Sequence, residues 1–227
     1  MDNFTTLLTE KIKSLGISDY GFSDARTLNT SYSDTLPIAV SFVVKLSDTV
    51  INDISDGPTF MYYHHYRTVN TFIDSAILQA GMFIETLGYK YMPVGASQSI
   101  PDSETPYAGL VSHKAAARQA GLGNIGKSAL FISNKFGTRV RLGTLLTDLP
   151  AETAQLTEYK SICGRCTLCT DACPAGAIKG VEWRAGMTRD DIFDAKLCSE
   201  HMKAAYQHIG RGAVCGKCVQ ICPRSKG

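Results

Sequence analysis

Apolar positions at helical spacing open the chain. Phe4, Leu7, Leu8, Ile12 and Leu15 recur every three or four residues, and Gly16 follows them. The spacing predicts an amphipathic helix over residues 4–15 with a glycine C-cap. Leu36 to Val44 (LPIAVSFVV) is a continuous apolar run rich in β-branched side chains, which predicts a buried strand. A long helical pattern runs from about His65 to Leu87 and ends at Gly88, and Tyr89 to Val94 suits a further strand. Gly95 to Pro106 (GASQSIPDSETP) is a loop by composition, with Asp102, Ser103 and Glu104 as its solvated polar part. His113 to Ala120 (HKAAARQA) favours helix through its alanines. A glycine run follows at Gly121–Gly126, then strand-like stretches over 129–133 and 139–147. Residues 150–160 are polar without strong periodicity. They divide the chain into an α/β domain over 1–155 and a small cysteine-rich module over 156–227.

Composition changes this picture little. The chain has 227 residues, 44% hydrophobic and 19% charged, as a folded protein does. A formal net charge of +2 argues against a strongly basic nucleic-acid surface. Met1 to Leu8 carries no charged segment leading into an apolar one and no twin arginine. No apolar run approaches the ~20 residues that span a bilayer. The expectation is a cytoplasmic protein with no membrane partner.

The cysteines change it a great deal. All eight fall between Cys163 and Cys222, with none in the first 162 residues. In a reducing compartment such clustering points to metal rather than disulfides. Cys163, Cys166, Cys169 and Cys173 stand at spacings of x2, x2 and x3, with Pro174 next. This is the bacterial ferredoxin run, in which three cysteines hold one cluster and the fourth reaches the other. Cys215, Cys218 and Cys222 followed by Pro223 repeat its last three positions, and the missing first position falls at Gly212. Cys198 is the spare cysteine that replaces it from upstream. The crossing rule then gives one 4Fe–4S cluster on Cys163, Cys166, Cys169 and Cys222, and a second on Cys173, Cys198, Cys215 and Cys218. Soft thiolates suit iron in both oxidation states. The alternative is two structural zinc sites, but these use paired cysteines across a long gap rather than four in eleven residues before a proline.

Gly121 to Ser128 (GLGNIGKS) fits both GxGxxG and the Walker A string. Both motifs must follow a strand and open a helix. Here helix-like HKAAARQA precedes and strand-like ALFIS follows. The order is reversed, so the loop is a helix-to-strand turn whose glycines let backbone approach a ligand closely.

At these residues the chain resembles the superfamily of cobalamin-dependent iron–sulfur reductases, which holds epoxyqueuosine reductases and reductive dehalogenases. The likeness lies in Leu87–Gly88–Tyr89 with Pro93, in AGLGNIGKSALFIS (Ala120–Ser133), in FGTRVRLGTLLTDLP (Phe136–Pro150) and in the cysteine module. LGISDYGFSDA (Leu15–Ala25) is similar to the start of epoxyqueuosine reductases. The resemblance implies an α+β fold: a nitroreductase-like mixed α/β core followed by a ferredoxin-like double-cluster module. It implies a corrinoid (cobalamin) reduced through the clusters by a low-potential donor such as a ferredoxin or flavodoxin, and a small-molecule substrate. Gly121, Gly123, Gly126, Lys127, Arg139 and Arg141 are the candidate cofactor-binding residues. For Lys127, Arg139 and Arg141 the alternative is strand-edge solvation.

Departures from the family pattern set further expectations. Tyr107 stands where epoxyqueuosine reductases carry a catalytic Asp. It is the candidate proton donor, with an ordinary core or surface tyrosine as the alternative. The chain stops five residues after Cys222, where those reductases continue into helical repeats. The expectation is a short form for which transfer RNA is not a partner. His64, His65 and His113 are expected to be polar partners or surface groups. Trp183, Tyr62, Tyr63 and Tyr66 are expected to pack. The favoured activity is a corrinoid-linked iron–sulfur oxidoreductase. The alternatives are a two-cluster electron carrier or partner-activating protein without corrinoid, and a truncated epoxyqueuosine reductase.

Overall fold

The computed structural model describes residues 3–100, 107–154, 161–212 and 214–225. Its regular elements are α1 (Asn3–Ser14), β1 (Asp19–Asp24), β2 (Ile38–Lys45), α2 (Asp48–Asn52), α3 (Phe60–Thr86), β3 (Tyr91–Val94) and α4 (His113–Gln119). They continue with β4 (Gly123–Ile125), β5 (Phe131–Ser133), β6 (Val140–Thr147), α5 (Leu168–Asp171), α6 (Ala195–Tyr206) and α7 (Lys217–Gln220). The expected Asp102–Ser103–Glu104 loop lies outside the described residues, as does the polar stretch 155–160. No helix among the described residues is long and apolar enough to cross a membrane.

The chain forms two compact units that do not follow chain order. One comprises Met1–Lys45, Val69–Leu122 and Arg141–Thr157. The other comprises Leu46–Thr68, Gly123–Val140 and Glu158–Gly227. The cysteine segment therefore packs with the stretch that begins at the second glycine of the loop.

The first unit is built on a four-stranded sheet in the order β1-β2-β6-β3. β1 pairs antiparallel with β2, from Asp19 opposite Val43 to Asp24 opposite Ile38. β3 pairs antiparallel with β6, from Tyr91 opposite Thr147 to Val94 opposite Thr144. β2 and β6 occupy the centre, which explains their near-continuous burial and their lack of polar alternation. Helices supply the apolar cover: Leu8 and Ile12 of α1, and Ile73, Ile77 and Ile84 of α3, are fully buried. Gly143 has a packing reason, since a Cβ there would collide with the side chains of Ile73 and Ile77. α4 packs on β1 and β2 through its alanines, with Ala116 and Ala117 buried.

Two elements differ from the pattern of the sequence. β1 (DYGFSD) is an edge strand whose polarity hides it. α3 starts at Phe60 rather than near His65, because the Thr59 hydroxyl accepts the Tyr62 N–H at 3.1 Å and caps it.

The second unit has little regular structure. β4 and β5 form a small antiparallel hairpin, Gly123 opposite Ser133 and Ile125 opposite Phe131. A cluster of Ile125, Ala129 and Ile192, flanked by Trp183, Met187 and Phe193, forms one of its cores. α6 begins where the Asp194 carboxylate accepts the Leu197 N–H at 2.9 Å. The mixed α/β content bears out the expected fold class.

Candidate iron–sulfur centre

Short helices and tight turns position the eight thiols. Cys169 lies on α5, Cys198 on α6 and Cys218 on α7, while Cys163 and Cys166 share one turn closed by a 3.0 Å backbone bond. Gly164 inside that turn has φ +52° and Gly216 before α7 has φ +79°, left-handed conformations that glycine adopts at little cost. All eight cysteines are free and half-buried. Backbone N–H groups point at several of them: Lys127 N lies 3.5 Å from Cys163 Sγ, Ala177 N lies 3.4 Å from Cys173 Sγ, and the N–H groups of Lys217 and Arg224 bond Cys215 and Cys222.

Mutual electrostatic influence sorts the thiols into two sets of four. Burial raises the Cys169 thiol, and Cys163 and Cys166 raise it further. Burial likewise raises Cys222, with Cys163, Cys169 and Cys166 adding. In the other set burial pushes Cys198 up to about 11, helped by Cys173 and Cys215. Burial raises Cys218 strongly, and Cys215, Cys198 and Cys173 add to it; the smallest contribution comes from Cys169 and links the two sets.

The donors fit iron–sulfur clusters. Thiols crowded in this way resist ionisation, because each bare thiolate is poorly solvated and repelled by its neighbours. A cationic iron–sulfide core removes both penalties and releases the thiol protons. Among the described residues, no group of three or more His, Cys, Asp or Glu side chains converges on a single-ion site.

The glycine loop contributes to this centre in its own way. Gly121 is the C′ residue of α4, with φ +73°. Its N–H donates to Arg118 O at 2.9 Å and Leu122 N–H donates to Ala117 O at 3.0 Å, a Schellman pair. A Cβ on Gly123 would collide with the carbonyl of Ile132 in the hairpin. A Cβ on Gly126 would lie 2.6 Å from Ile132 Cδ1 and 3.4 Å from Cys163 Sγ. The helix precedes and the hairpin follows, so neither nucleotide motif has its required context.

The remaining predicted residues are engaged with protein. Lys127 is buried, and its Nζ donates to Gly164 O at 2.7 Å and to Cys166 O at 3.2 Å. Arg139 is buried; it bonds Ser225 Oγ at 2.6 Å, Asp48 Oδ1 at 3.0 Å and Asn52 Oδ1 at 2.7 Å. Arg141 bonds Asn70 Oδ1 at 2.9 Å and Ser97 Oγ at 2.6 Å. Tyr107 is exposed, with a left-handed φ of +64° that is rare for a side chain of its size. Tyr107, Gly121 and Arg141 belong to the first unit, and Gly123, Gly126, Lys127, Arg139 and the cysteines to the second.

His113 is buried, with Nε2 donating to Gly95 O at 3.1 Å, so Nδ1 accepts the Thr144 hydroxyl at 2.8 Å. His65 Nε2 accepts the Ser47 N–H at 3.0 Å, and His64 is exposed. Tyr62 and Tyr66 pack edge to face, and Tyr63 donates to Arg211 O at 2.8 Å. Sequence reasoning passed over Glu182, whose carboxylate accepts the Gly164 N–H at 2.8 Å, and Tyr206, whose hydroxyl bonds Cys215. Neither belongs to a motif, so only packing could reveal them.

These features define a two-cluster iron–sulfur protein. Residues 162–225 match the family model of the 4Fe–4S double cluster binding domain. The epoxyqueuosine reductase of Lactococcus garvieae is 33% identical over 127 residues, covering 50% of this chain and 32% of that enzyme. The match therefore spans about a third of that relative's length. A reductive dehalogenase solved in work on B12-dependent dehalogenation superposes with a TM-score of 0.76 at 17% identity, covering 97% of this chain and 31% of that one. An epoxyqueuosine reductase solved with an epoxyqueuosine-modified tRNA-Tyr stem loop gives a TM-score of 0.62 at 18% identity, covering 99% of this chain and 66% of that one. Over half of its length the chain is thus similar in sequence to epoxyqueuosine reductases, and its fold is the one seen in solved epoxyqueuosine reductases and reductive dehalogenases.

One expectation is corrected here. Transfer RNA was set aside as a partner because the chain ends soon after Cys222. The related epoxyqueuosine reductase is seen with a tRNA stem loop, which overturns that expectation. The position of a chain end carries no information about what the folded core binds.

Proposed function

We propose that this protein is an iron–sulfur oxidoreductase that passes single electrons through two 4Fe–4S clusters to a bound corrinoid, which reduces the substrate. The observation that carries the reading is the sorting of eight half-buried thiols into two sets of four. It supports Cys163, Cys166, Cys169 and Cys222 as ligands of one cluster, and Cys173, Cys198, Cys215 and Cys218 as ligands of the other. Electrons come from a low-potential donor of the ferredoxin or flavodoxin class.

Kinship with the B12-dependent dehalogenase supports the corrinoid. When bound, the corrinoid supplies a strongly reducing cobalt centre. The residues named for it do not fit direct contact. The side chains of Lys127, Arg139 and Arg141 are engaged inside the protein, and Gly123 and Gly126 are filled by hairpin packing. No step is assigned to them. Tyr107, exposed on a left-handed backbone, is the proposed proton donor. The relative bound to a tRNA stem loop supports an epoxide carried on transfer RNA as a substrate, and the dehalogenase relationship supports an organohalide.

The engagement of those five residues favours a second reading, an electron carrier that serves another protein's cofactor. One preparation separates the two. Protein made without oxygen is incubated with hydroxocobalamin, desalted and analysed for metals. About eight irons and about one cobalt per chain support the reductase. About eight irons with no cobalt leave the carrier. Iron below about four per chain after reconstitution defeats both readings.

A further inference from the structure

Lys127 lies in the glycine run, yet neither nucleotide motif nor corrinoid contact accounts for it. It is 9% exposed, although an ammonium is strongly hydrated in water. Its Nζ is held by two backbone carbonyls, Gly164 O at 2.7 Å and Cys166 O at 3.2 Å. Both belong to the turn that presents Cys163 and Cys166. Its own N–H points at Cys163 Sγ at 3.5 Å, and Gly126 before it leaves no room for a Cβ beside Ile132 and that sulfur.

The same turn is gripped from its other side. Gly164 N–H donates to Glu182 Oε1 at 2.8 Å, and the Ser161 hydroxyl donates to the same oxygen at 2.5 Å. The Ser161 hydrogen bond, with smaller help from the Lys127 charge, holds the Glu182 carboxyl below its usual range, so it stays ionised. One peptide turn thus carries a fixed cation on its carbonyl side and a fixed anion on its N–H side.

The second set is served differently: a neutral phenol from Tyr206 bonds Cys215, and Lys217 gives that thiol its backbone N–H while its ammonium donates to the Ser55 carbonyl. A buried ammonium held only by carbonyls is poorly compensated. Four thiolates outweigh the charge of an iron–sulfide core, so the assembled cluster is a net anion and becomes more negative on reduction. Charge near a cluster sets its potential.

We infer that Lys127 is a positioning residue that raises the reduction potential of the cluster on Cys163, Cys166, Cys169 and Cys222, with Glu182 opposing it. The inference rests on the two-cluster reading above. The step concerned is one electron entering that cluster from an external low-potential donor, with no bond made or broken. The fixed ammonium favours the reduced state and the fixed carboxylate disfavours it. The sign of each effect follows from charge alone.

The test is an electron paramagnetic resonance redox titration of anaerobically reconstituted protein with dithionite, alongside iron analysis. Wild type is compared with Lys127→Met, Lys127→Arg and Glu182→Gln. The expected result is that Lys127→Met moves one of the two midpoints to more negative potential and leaves the other in place. Lys127→Arg keeps the wild-type value. Glu182→Gln, which retains an acceptor for Gly164 and Ser161, moves the same midpoint to more positive potential. A purely structural role would not give opposite signs. Unchanged midpoints at full iron content, equal movement of both clusters, or shifts of the same sign in Lys127→Met and Glu182→Gln would overturn the inference. If Lys127→Met fails to hold iron, the Glu182→Gln and Lys127→Arg titrations decide it alone. Wild type without two reducible clusters defeats the underlying reading instead, which the iron analysis shows separately.

Discussion

The two compact units are held together by different forces. The first rests on apolar burial. β2 alone contributes Ala39, Val40, Phe42, Val43 and Val44 to the core, and both central strands are covered. The cysteine segment of the second unit is the opposite case. Its described residues from 161 onward bury only Ala177, Ile178, Ile192 and Val219 among apolar side chains. Two of its three helices have four residues each, too short to stand alone. Where apolar area is scarce, metal ligation supplies the missing free energy, as small metal-bound modules show. The contrast predicts a first unit that folds without iron and a cysteine segment whose order depends on what its thiols hold.

Iron removal gives the largest test of that contrast. An anaerobic chelator should abolish amide-exchange protection over residues 163–222 while β2 and β6 stay protected, read by hydrogen–deuterium exchange. Loss of protection in both places, or in neither, breaks the comparison. Phe42→Ala probes the other side. Phe42 is fully buried, and its truncation should cost about 3–5 kcal/mol in urea unfolding. The iron content of the folded protein should not change.

The largest histidine shift lies in the first unit. Burial lowers His113 from 6.5 to about 4, while its bond to Gly95 works the other way and Arg141 adds to the lowering. The folded state therefore refuses a proton that the unfolded state accepts. Stability is full above pH 6.5 and declines as pH falls from 6.5 towards about 4. The decline should reach about 3 kcal/mol at most. Urea unfolding from pH 7.5 to 4.5 measures it, and His113→Gln should flatten it. The smallest effect is expected at Gly121, where Gly121→Ala puts a side chain on a left-handed backbone and should cost about 1 kcal/mol. A larger loss, or loss of iron, would show that this helix end bears on the cluster segment.

Much of this was legible along the chain, and where it was not, the reasons are physical. α1, β2, α4 and β6 were readable because each repeats a strong apolar or alanine pattern. β1 was not, because an edge strand needs no apolar alternation to be held by its neighbour. The start of α3 was hidden because a single Thr59 cap decides it. The double-cluster segment was plain from spacing, and residues 162–225 match the corresponding family model. The partners of the basic residues were not legible. Arg139 bonds Ser225, 86 positions away, and Lys127 bonds Gly164, 37 positions away.

The sequence by itself determined the cluster chemistry, because thiolate spacing within a short turn is a local property that the chain imposes directly. It also determined that the glycine run is not a nucleotide loop, because helix and strand order are local too. Only the tertiary structure decided which segments pack together, with residues 46–68 and 123–140 joining the cysteine segment. Only it decided what Lys127, Glu182 and Arg139 hold. Hydrogen-bond partners distant in sequence are selected by packing, and no periodicity along the chain encodes them.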